Sequence, residues 1–150
     1  MSMLNRSFVA AVCIAFLVGC GEKESPEARA VSPKAERQVS ETAIYFQDGV
    51  GVDFGVKPTK DSIRESSEGK RSRVLVYEFA QQTPKDIDRA FYKILRAEGY
   101  RRKEVASEKF DLNVQYRKKD SQTIRVRYKV RIREGFDKKT VLTIQWRMAE

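Results

Sequence analysis

The last third of the chain alternates apolar and polar residues with the period of two that is typical of strands. Three segments share this pattern, namely residues 112–117, 124–133 and 141–148. Turns are predicted between them, at residues 119–122 and 134–137. Strands joined by such short turns indicate an antiparallel meander, with one face packed on a core and the other facing water or a partner.

One segment, residues 84–98, follows the helical period instead. Its apolar stripe consists of Ile87, Phe91, Ile94 and Leu95. Thr83 is suited to cap the first turn, and Gly99 followed by Tyr100 is suited to end the last one. A single stripe at the spacing i, i+4, i+7, i+8 predicts that this helix packs on the sheet.

The middle of the chain adds further strands. A short strand over residues 44–47 is followed by Asp48-Gly49, a hairpin signal, and by alternation over residues 50–56. Residues 58–72 are polar and predict a loop. Residues 73–80 are apolar on both sides, which predicts an interior strand.

Together these elements predict an α+β domain over residues 43–150. One helix packs on an antiparallel sheet of five or six strands, in the order ββ-β-α-βββ. The aromatic residues expected in or near the core are Tyr45, Phe46, Tyr77, Tyr92, Phe110 and Trp146. Phe136, by contrast, falls in a predicted turn and is a candidate contact residue.

The amino-acid composition excludes several kinds of functional site. The chain has 150 residues, no histidine and two cysteines, which excludes a disulfide-stapled module, histidine-dependent catalysis and zinc sites of the usual Cys/His spacing. No cofactor or metal is therefore expected. With 41% hydrophobic residues, the chain has enough apolar side chains for a core.

Residues 1–19 are predicted to be a signal peptide, which takes no part in the fold. Arg6 precedes an uncharged run over residues 8–18. As a helix this run would reach roughly 16 Å, about half the hydrocarbon thickness of a bilayer. It is therefore too short for a stable membrane span.

The run ends in Leu17-Val18-Gly19-Cys20. This ending resembles the lipobox of bacterial lipoprotein precursors, and the resemblance covers only about the first 20 residues. It implies that the thiol of Cys20 receives a diacylglycerol, that cleavage occurs just before this residue, and that a further acyl chain such as palmitate is added to the new amino group. Two or three acyl chains hold a protein stably at a membrane. The alternatives are an uncleaved anchor and an ordinary secretory signal.

The resemblance also implies a compartment. Gly21, rather than an aspartate, follows the cysteine, and in enteric members of the family this implies export to the periplasmic face of the outer membrane. The inner membrane is the alternative.

Residues 20–42 are predicted to be a tether. They are rich in Glu, Ser, Pro and Ala and contain no aromatic residue, so they have too little apolar surface to offset the entropy of ordering. As a flexible coil the segment would extend roughly 25 Å on average. A helix interrupted at Pro33 is the alternative.

The formal net charge of +9 lies in residues 43–150, and the most unusual feature of this domain is one predicted sheet face. Along residues 124–133 cations alternate with apolar residues, so that neighbours on the same face are about 7 Å apart. Glu78 is expected to neutralise part of this charge. The candidate anion-binding or partner-binding residues are Arg117, Arg125, Arg127, Lys129, Arg131, Arg133 and Arg147. The alternative is a solvated face whose charge opposes edge-to-edge aggregation.

Three hypotheses about the function are consistent with these sequence features. The first is a non-catalytic interaction module for another envelope protein, of the assembly-accessory, inhibitor or immunity type. The second is a binder of anionic envelope polymer or lipid through the basic face, and the third is a cell-wall enzyme. Asp48 and Asp53 are the only carboxylate pair considered for catalysis, because Asp86 and Asp88 are explained as charges at a helix N-terminus. The export signal argues against nucleic acid as a partner.

Overall fold

Strands are more numerous than helices in the part of the chain that the structure describes. The computed structural model describes residues 29–31 and 40–149. Cys20, the predicted signal peptide and most of the predicted tether lie outside these residues. The elements are β1 (Arg29–Val31), β2 (Ala43–Tyr45), β3 (Gly51–Asp53), β4 (Lys60–Glu65), β5 (Arg71–Ala80), α1 (Pro84–Ala97), β6 (Arg101–Glu104), β7 (Leu112–Arg117), β8 (Ile124–Arg131) and β9 (Lys139–Arg147).

Six of the strands form one antiparallel sheet in the order β4-β5-β9-β8-β7-β6. Helix α1 packs against one face of it. The predicted α+β class, with one helix on an antiparallel sheet, is therefore confirmed, as are the meander β7-β8-β9 and the interior position of β5.

The predicted order ββ-β-α-βββ is wrong in three details. The hairpin of β2 and β3 belongs to a second, small sheet, in which β1 pairs with the other side of β3. Strand β4 lies within the predicted loop 58–72, and β6 follows the helix where no strand was predicted. Both are edge strands of polar sequence, so neither shows the alternation that marks a half-buried strand. Strand β1 also falls inside the segment predicted to be a tether.

Helix α1 begins and ends at the predicted signals. The hydroxyl of Thr83 accepts a hydrogen bond from the backbone N–H of Asp86 at 3.3 Å. At the other end Gly99 has a φ of 87°, a conformation that glycine adopts without strain. The N–H of Tyr100 then donates to the carbonyl of Leu95 at 2.9 Å, so the chain folds back on the last turn. Among the described residues no helix is long and apolar enough to cross a membrane.

The core lies between α1, the inner face of the six-stranded sheet and the β2–β3 hairpin. Phe91 is at its centre and is fully buried. Its ring lies 5.3 Å from that of Tyr116 on β7 and 5.7 Å from that of Phe54 after β3. Of the aromatic residues predicted in or near the core, Phe46, Tyr77 and Trp146 are buried, whereas Tyr45, Tyr92 and Phe110 are partly buried.

Strand β8 is two residues shorter than predicted. It ends at Arg131, which pairs with Lys139, because the chain reverses direction over residues 132–138. Ile132 was predicted on the apolar face of the strand, but it lies in the turn and is 75% exposed. Phe136, also 75% exposed, lies in the same turn, as predicted.

Replacing Phe91 by alanine should test the centre of the core. Because this ring joins the helix, the sheet and the hairpin, Phe91→Ala is expected to lower the free energy of unfolding by about 3–5 kcal/mol. Urea denaturation followed by circular dichroism measures this. The exposed helix residue Lys93 supplies the control, since Lys93→Ala should change stability by less than about 0.5 kcal/mol. Equal losses in the two variants would contradict the assigned core.

Candidate functional site

The face of the large sheet turned away from α1 carries a continuous set of cations. The strand register places Arg125 of β8 opposite Gln115 of β7 and Gln145 of β9, whereas the intervening Val126 is fully buried on the helix side. The same parity across all six strands defines what we call the cationic face. Its basic residues are Lys60, Arg64, Arg101, Lys103, Arg117, Arg125, Arg127, Lys129, Arg131, Lys139 and Arg147.

Few carboxylates neutralise this face. Among the described residues of the six strands, Glu78 is the one acidic side chain that shares it, and its carboxylate lies 3.3 Å from the Nζ of Lys139. Arg127 packs over the ring of Phe110 at 5.5 Å, and the Nζ of Lys129 donates to the carbonyl of Lys109 at 3.2 Å. Arg125 and Arg131 are exposed. The face therefore presents charge that an incoming anion can reach.

Like charges also lie directly opposite one another on this face. Arg101 of β6 is paired with Arg117 of β7, and Arg131 of β8 is paired with Lys139 of β9. Directly opposed like charges destabilise a sheet. The repulsion is weakened by solvent and salt, and a bound anion would remove it.

The structure brings together six of the seven predicted binding residues. Arg117 and Arg147 flank the row on β8 as expected, with Arg125, Arg127, Lys129 and Arg131 between them. Arg133 lies beyond the end of β8, in the exposed turn to β9. Sequence reasoning missed the cations contributed by β4, β6 and the start of β9, because their place on the face follows only from strand pairing.

A second candidate is a cleft of about 630 Å³ beside the first turns of α1. It is lined by apolar residues such as Leu112 and Val130 and by charged residues such as Lys85 and Glu104. The buried carboxylate of Asp88 also lies on its wall.

Asp88 anchors the helix to the sheet. Its Oδ1 accepts hydrogen bonds from Tyr116 Oη at 2.5 Å and Tyr128 Oη at 3.0 Å, and its Oδ2 accepts from Arg102 Nε at 2.8 Å. The explanation of Asp88 as a helix N-terminal charge is therefore wrong, although it fits Asp86. The sequence did contain a signal for the burial of Asp88. This residue precedes Phe91 by three positions and so lies on the buried stripe of the helix.

The surroundings of Asp88 keep its partners in their ordinary protonation states. Burial, together with the nearby carboxylate, raises the pKa of Tyr116. Burial likewise raises the pKa of Tyr128, and Tyr116 and Asp88 add to the shift. Burial lowers the pKa of the Arg102 guanidinium, but hydrogen bonds to Asp88 and Glu104 outweigh that and raise it overall. Neutral phenols and a charged guanidinium are the donors that a carboxylate needs, so we assign this network a structural role.

Asp48 and Asp53, the predicted carboxylate pair, each have their own donors. Asp48 Oδ2 accepts from Tyr100 Oη at 2.8 Å and from Lys118 Nζ at 3.1 Å, which fastens the β2–β3 turn to the large sheet. Asp53 Oδ1 accepts from Thr42 Oγ1 at 2.6 Å and from the N–H of Gly55 at 2.8 Å. Both carboxylates thus hold the small sheet and its neighbouring loops in place.

Comparison of the chain with protein-family models, with curated proteins and with solved structures finds no match. Among the described residues no group of three or more Cys, Asp or Glu side chains is arranged to hold a metal ion. The segregation of cations makes the cationic face the surface from which a function is best argued.

The Asp88 network gives a prediction about stability. Asp88→Ala leaves two buried hydroxyls and one partly buried guanidinium without their acceptor, which should lower the free energy of unfolding by about 3 kcal/mol. Asp86→Ala, on the same helix but exposed, should cost only about 0.5–1 kcal/mol. Chemical denaturation of both variants measures the difference, and similar losses would show that the network contributes little.

The contacts of Asp48 predict a pH dependence. Burial raises the pKa of this carboxyl, but the hydrogen bonds from Tyr100 and Lys118 outweigh it and hold the pKa below its usual value. A lowered pKa in the folded state gives stability that is present above the unfolded pKa and is lost as the pH falls through the folded value. Asp48→Asn should therefore be less stable than the wild type by about 1 kcal/mol at neutral pH.

This deficit should shrink as the pH falls through the lowered pKa of Asp48 in the folded state, because the wild-type carboxylate then takes up a proton. Urea unfolding at a series of pH values measures it. Asp137→Asn, which changes an exposed turn residue, should show no such convergence. A deficit that stays constant down to the acid transition would exclude the assigned role of Asp48.

Proposed function

We propose that this chain is a membrane-anchored periplasmic lipoprotein whose domain is a non-catalytic interaction module for another envelope protein. The cationic face is the docking surface, and the partner presents a complementary acidic patch. The supporting observation is the segregation of charge. One uncovered face of the sheet holds Arg125, Lys129 and Arg131 with a single carboxylate, Glu78, among the described strand residues.

The shape of the face favours a folded protein as the partner. Six strands about 4.8 Å apart, rising about 3.4 Å per residue, give it an area on the order of 600 Å². A stable protein–protein interface uses roughly 800 Å² on each side, so one partner of ordinary size would cover it. Val74 and Val141, in its middle, are short and already buried. Specificity would therefore come from the cations and the polar residues between them.

The proposed anchor explains why a charged face is useful. Acyl chains on Cys20 would confine the domain to the membrane surface. The nine residues 20–28, between the anchor and β1, would as a flexible coil let it search a volume roughly 16 Å in radius. Confinement raises the effective concentration toward any partner in the same membrane. Export also separates the face from nucleic acid. Gly21 after the cysteine supports the outer membrane as the destination, with the inner membrane as the alternative.

A second candidate function is the binding of anionic envelope polymer or lipid by the same face. It is favoured by the regular spacing of about 7 Å between cations along β8, which suits a repeating array of phosphates or carboxylates. The two functions differ in the identity of the partner and not in the residues used.

A photo-crosslinking experiment should separate them. A photoreactive amino acid at position 145, opposite Arg125, places the probe in the middle of the cationic face of the full chain. Docking of a protein predicts a discrete crosslinked adduct in cells. The triple variant Arg125→Gln, Lys129→Gln and Arg147→Gln should reduce that adduct by about tenfold, because the loss of charged contacts lowers affinity.

A matched triple variant provides the control. Lys85→Gln, Lys93→Gln and Arg96→Gln remove the same charge from α1, on the other layer of the domain, and should leave the adduct unchanged. Binding to polymer or lipid predicts no protein adduct. It predicts instead that the chain without its acyl groups shows salt-sensitive cosedimentation with purified cell wall or anionic vesicles. The first triple variant should weaken this binding, and the matched triple variant should leave it unchanged. If crosslinking and cosedimentation respond equally to both triple variants, the cationic face is not the binding surface.

A further inference from the structure

The turn between β8 and β9 exposes two large apolar side chains. Ile132 and Phe136 are each 75% exposed, and every residue from Arg131 to Lys139 is exposed. We call residues 131–139 the β8–β9 tip. Single exposed apolar residues are common on protein surfaces, whereas two within five residues at a strand end form a candidate contact surface.

Four cations lie on the same segment as these two side chains. Arg131 and Arg133 flank Ile132, and Lys138 and Lys139 follow Phe136, whereas the acidic residues of the tip are Glu134 and Asp137. Cations therefore outnumber carboxylates. An exposed aromatic and an exposed aliphatic side chain on a segment with an excess of Arg and Lys is a combination that suits the interface of an anionic bilayer.

We propose that the β8–β9 tip contacts the surface of an anionic phospholipid bilayer. Ile132 and Phe136 enter the boundary between headgroups and acyl chains, while Arg133 and Lys138 lie among the lipid phosphates. The inference rests on the proposed function in one respect, since the anchor at Cys20 keeps the domain within reach of the membrane. Because the anchor supplies a high effective concentration, two inserted side chains are enough to hold the tip there.

The contact would fix the orientation of the domain. The tip closes β8 and β9 at one end of the sheet, whereas the β4–β5 turn at residues 66–70 lies at the other end, next to Arg147. With the tip on the bilayer, the central strands run roughly along the membrane normal. The cationic face then looks sideways, parallel to the membrane plane, where a second envelope protein can approach it.

Tryptophan placed at the tip gives a direct test. The full chain is purified from membranes of expressing bacteria, the mass of its N-terminal peptide is measured, and the protein is reconstituted into vesicles whose acyl chains carry bromine. Phe136→Trp reports on the tip, and Ser67→Trp in the β4–β5 turn is the matched control at the opposite end of the sheet. Trp146, the single native tryptophan, is buried and contributes the same background to both variants.

In vesicles of phosphatidylcholine and phosphatidylglycerol, emission at position 136 should be quenched at least about twofold more than at position 67. The difference should fall in pure phosphatidylcholine and as salt is added, because screening weakens attraction to lipid phosphates. Equal quenching at the two positions, or no quenching at position 136 in anionic vesicles, overturns the proposal. A tip that binds a protein instead would remain unquenched in these protein-free vesicles and would overturn it too.

The experiment distinguishes an error in the proposed lipid anchor from an error in the proposed contact between tip and bilayer. A mass that shows Cys20 without acyl groups overturns the proposed lipoprotein, but the unacylated product is then added to the same vesicles at high lipid concentration. Quenching at position 136 that depends on phosphatidylglycerol still supports the tip contact, and its absence overturns it. Crosslinking from position 145 reports separately on the cationic face.

Discussion

Helix α1 covers one face of the six-stranded sheet, and this single packing contact decides what the other face can carry. Phe91 and Leu95 are fully buried against residues such as Tyr116 and Val126. Because side chains alternate along a strand, every residue of the opposite parity must then point away from the helix. A slip of one residue in the register of β8 would bury Arg125 and its neighbours, which is energetically prohibitive. The apolar core therefore fixes the direction of the cations.

The sequence pattern predicted most accurately the elements that have one apolar face and one polar face. Strands β7, β8 and β9 alternate cleanly, and α1 has a single apolar stripe between a threonine cap and Gly99, so their identities were predicted correctly. Strands β4 and β6 were missed because edge strands need no apolar face. Strand β4 has Ile63 as its one large apolar residue, and β6 has none. Their strand conformation is imposed by hydrogen bonding to β5 and β7, which a local pattern does not contain.

The same distinction applies to the candidate site. The row on β8 was predictable because it lies on one strand, whereas the contributions of Arg64, Lys103 and Lys139 depend on the order of strands in the sheet. Asp88 was misassigned for a different reason. An acidic residue in the first turns of a helix has an adequate local explanation in the helix dipole, and only the positions of Tyr116, Tyr128 and Arg102 show that its carboxylate is buried and shared.

The geometry of the sheet also bears on which anion the cationic face meets. The β8–β9 tip lies at the end of the strands, and the cationic face lies along their sides, so the two surfaces point in directions about 90° apart. The two surfaces meet at Arg131 and Lys139, and one bilayer cannot contact the whole of both at once. If the tip rests on the lipid surface, the cationic face is withdrawn from that surface and its charge remains available to a different partner. Lipid binding by the tip is thus compatible with protein binding by the cationic face. If the cationic face bound lipid instead, Ile132 and Phe136 would be exposed to water and their apolar surface would not be buried.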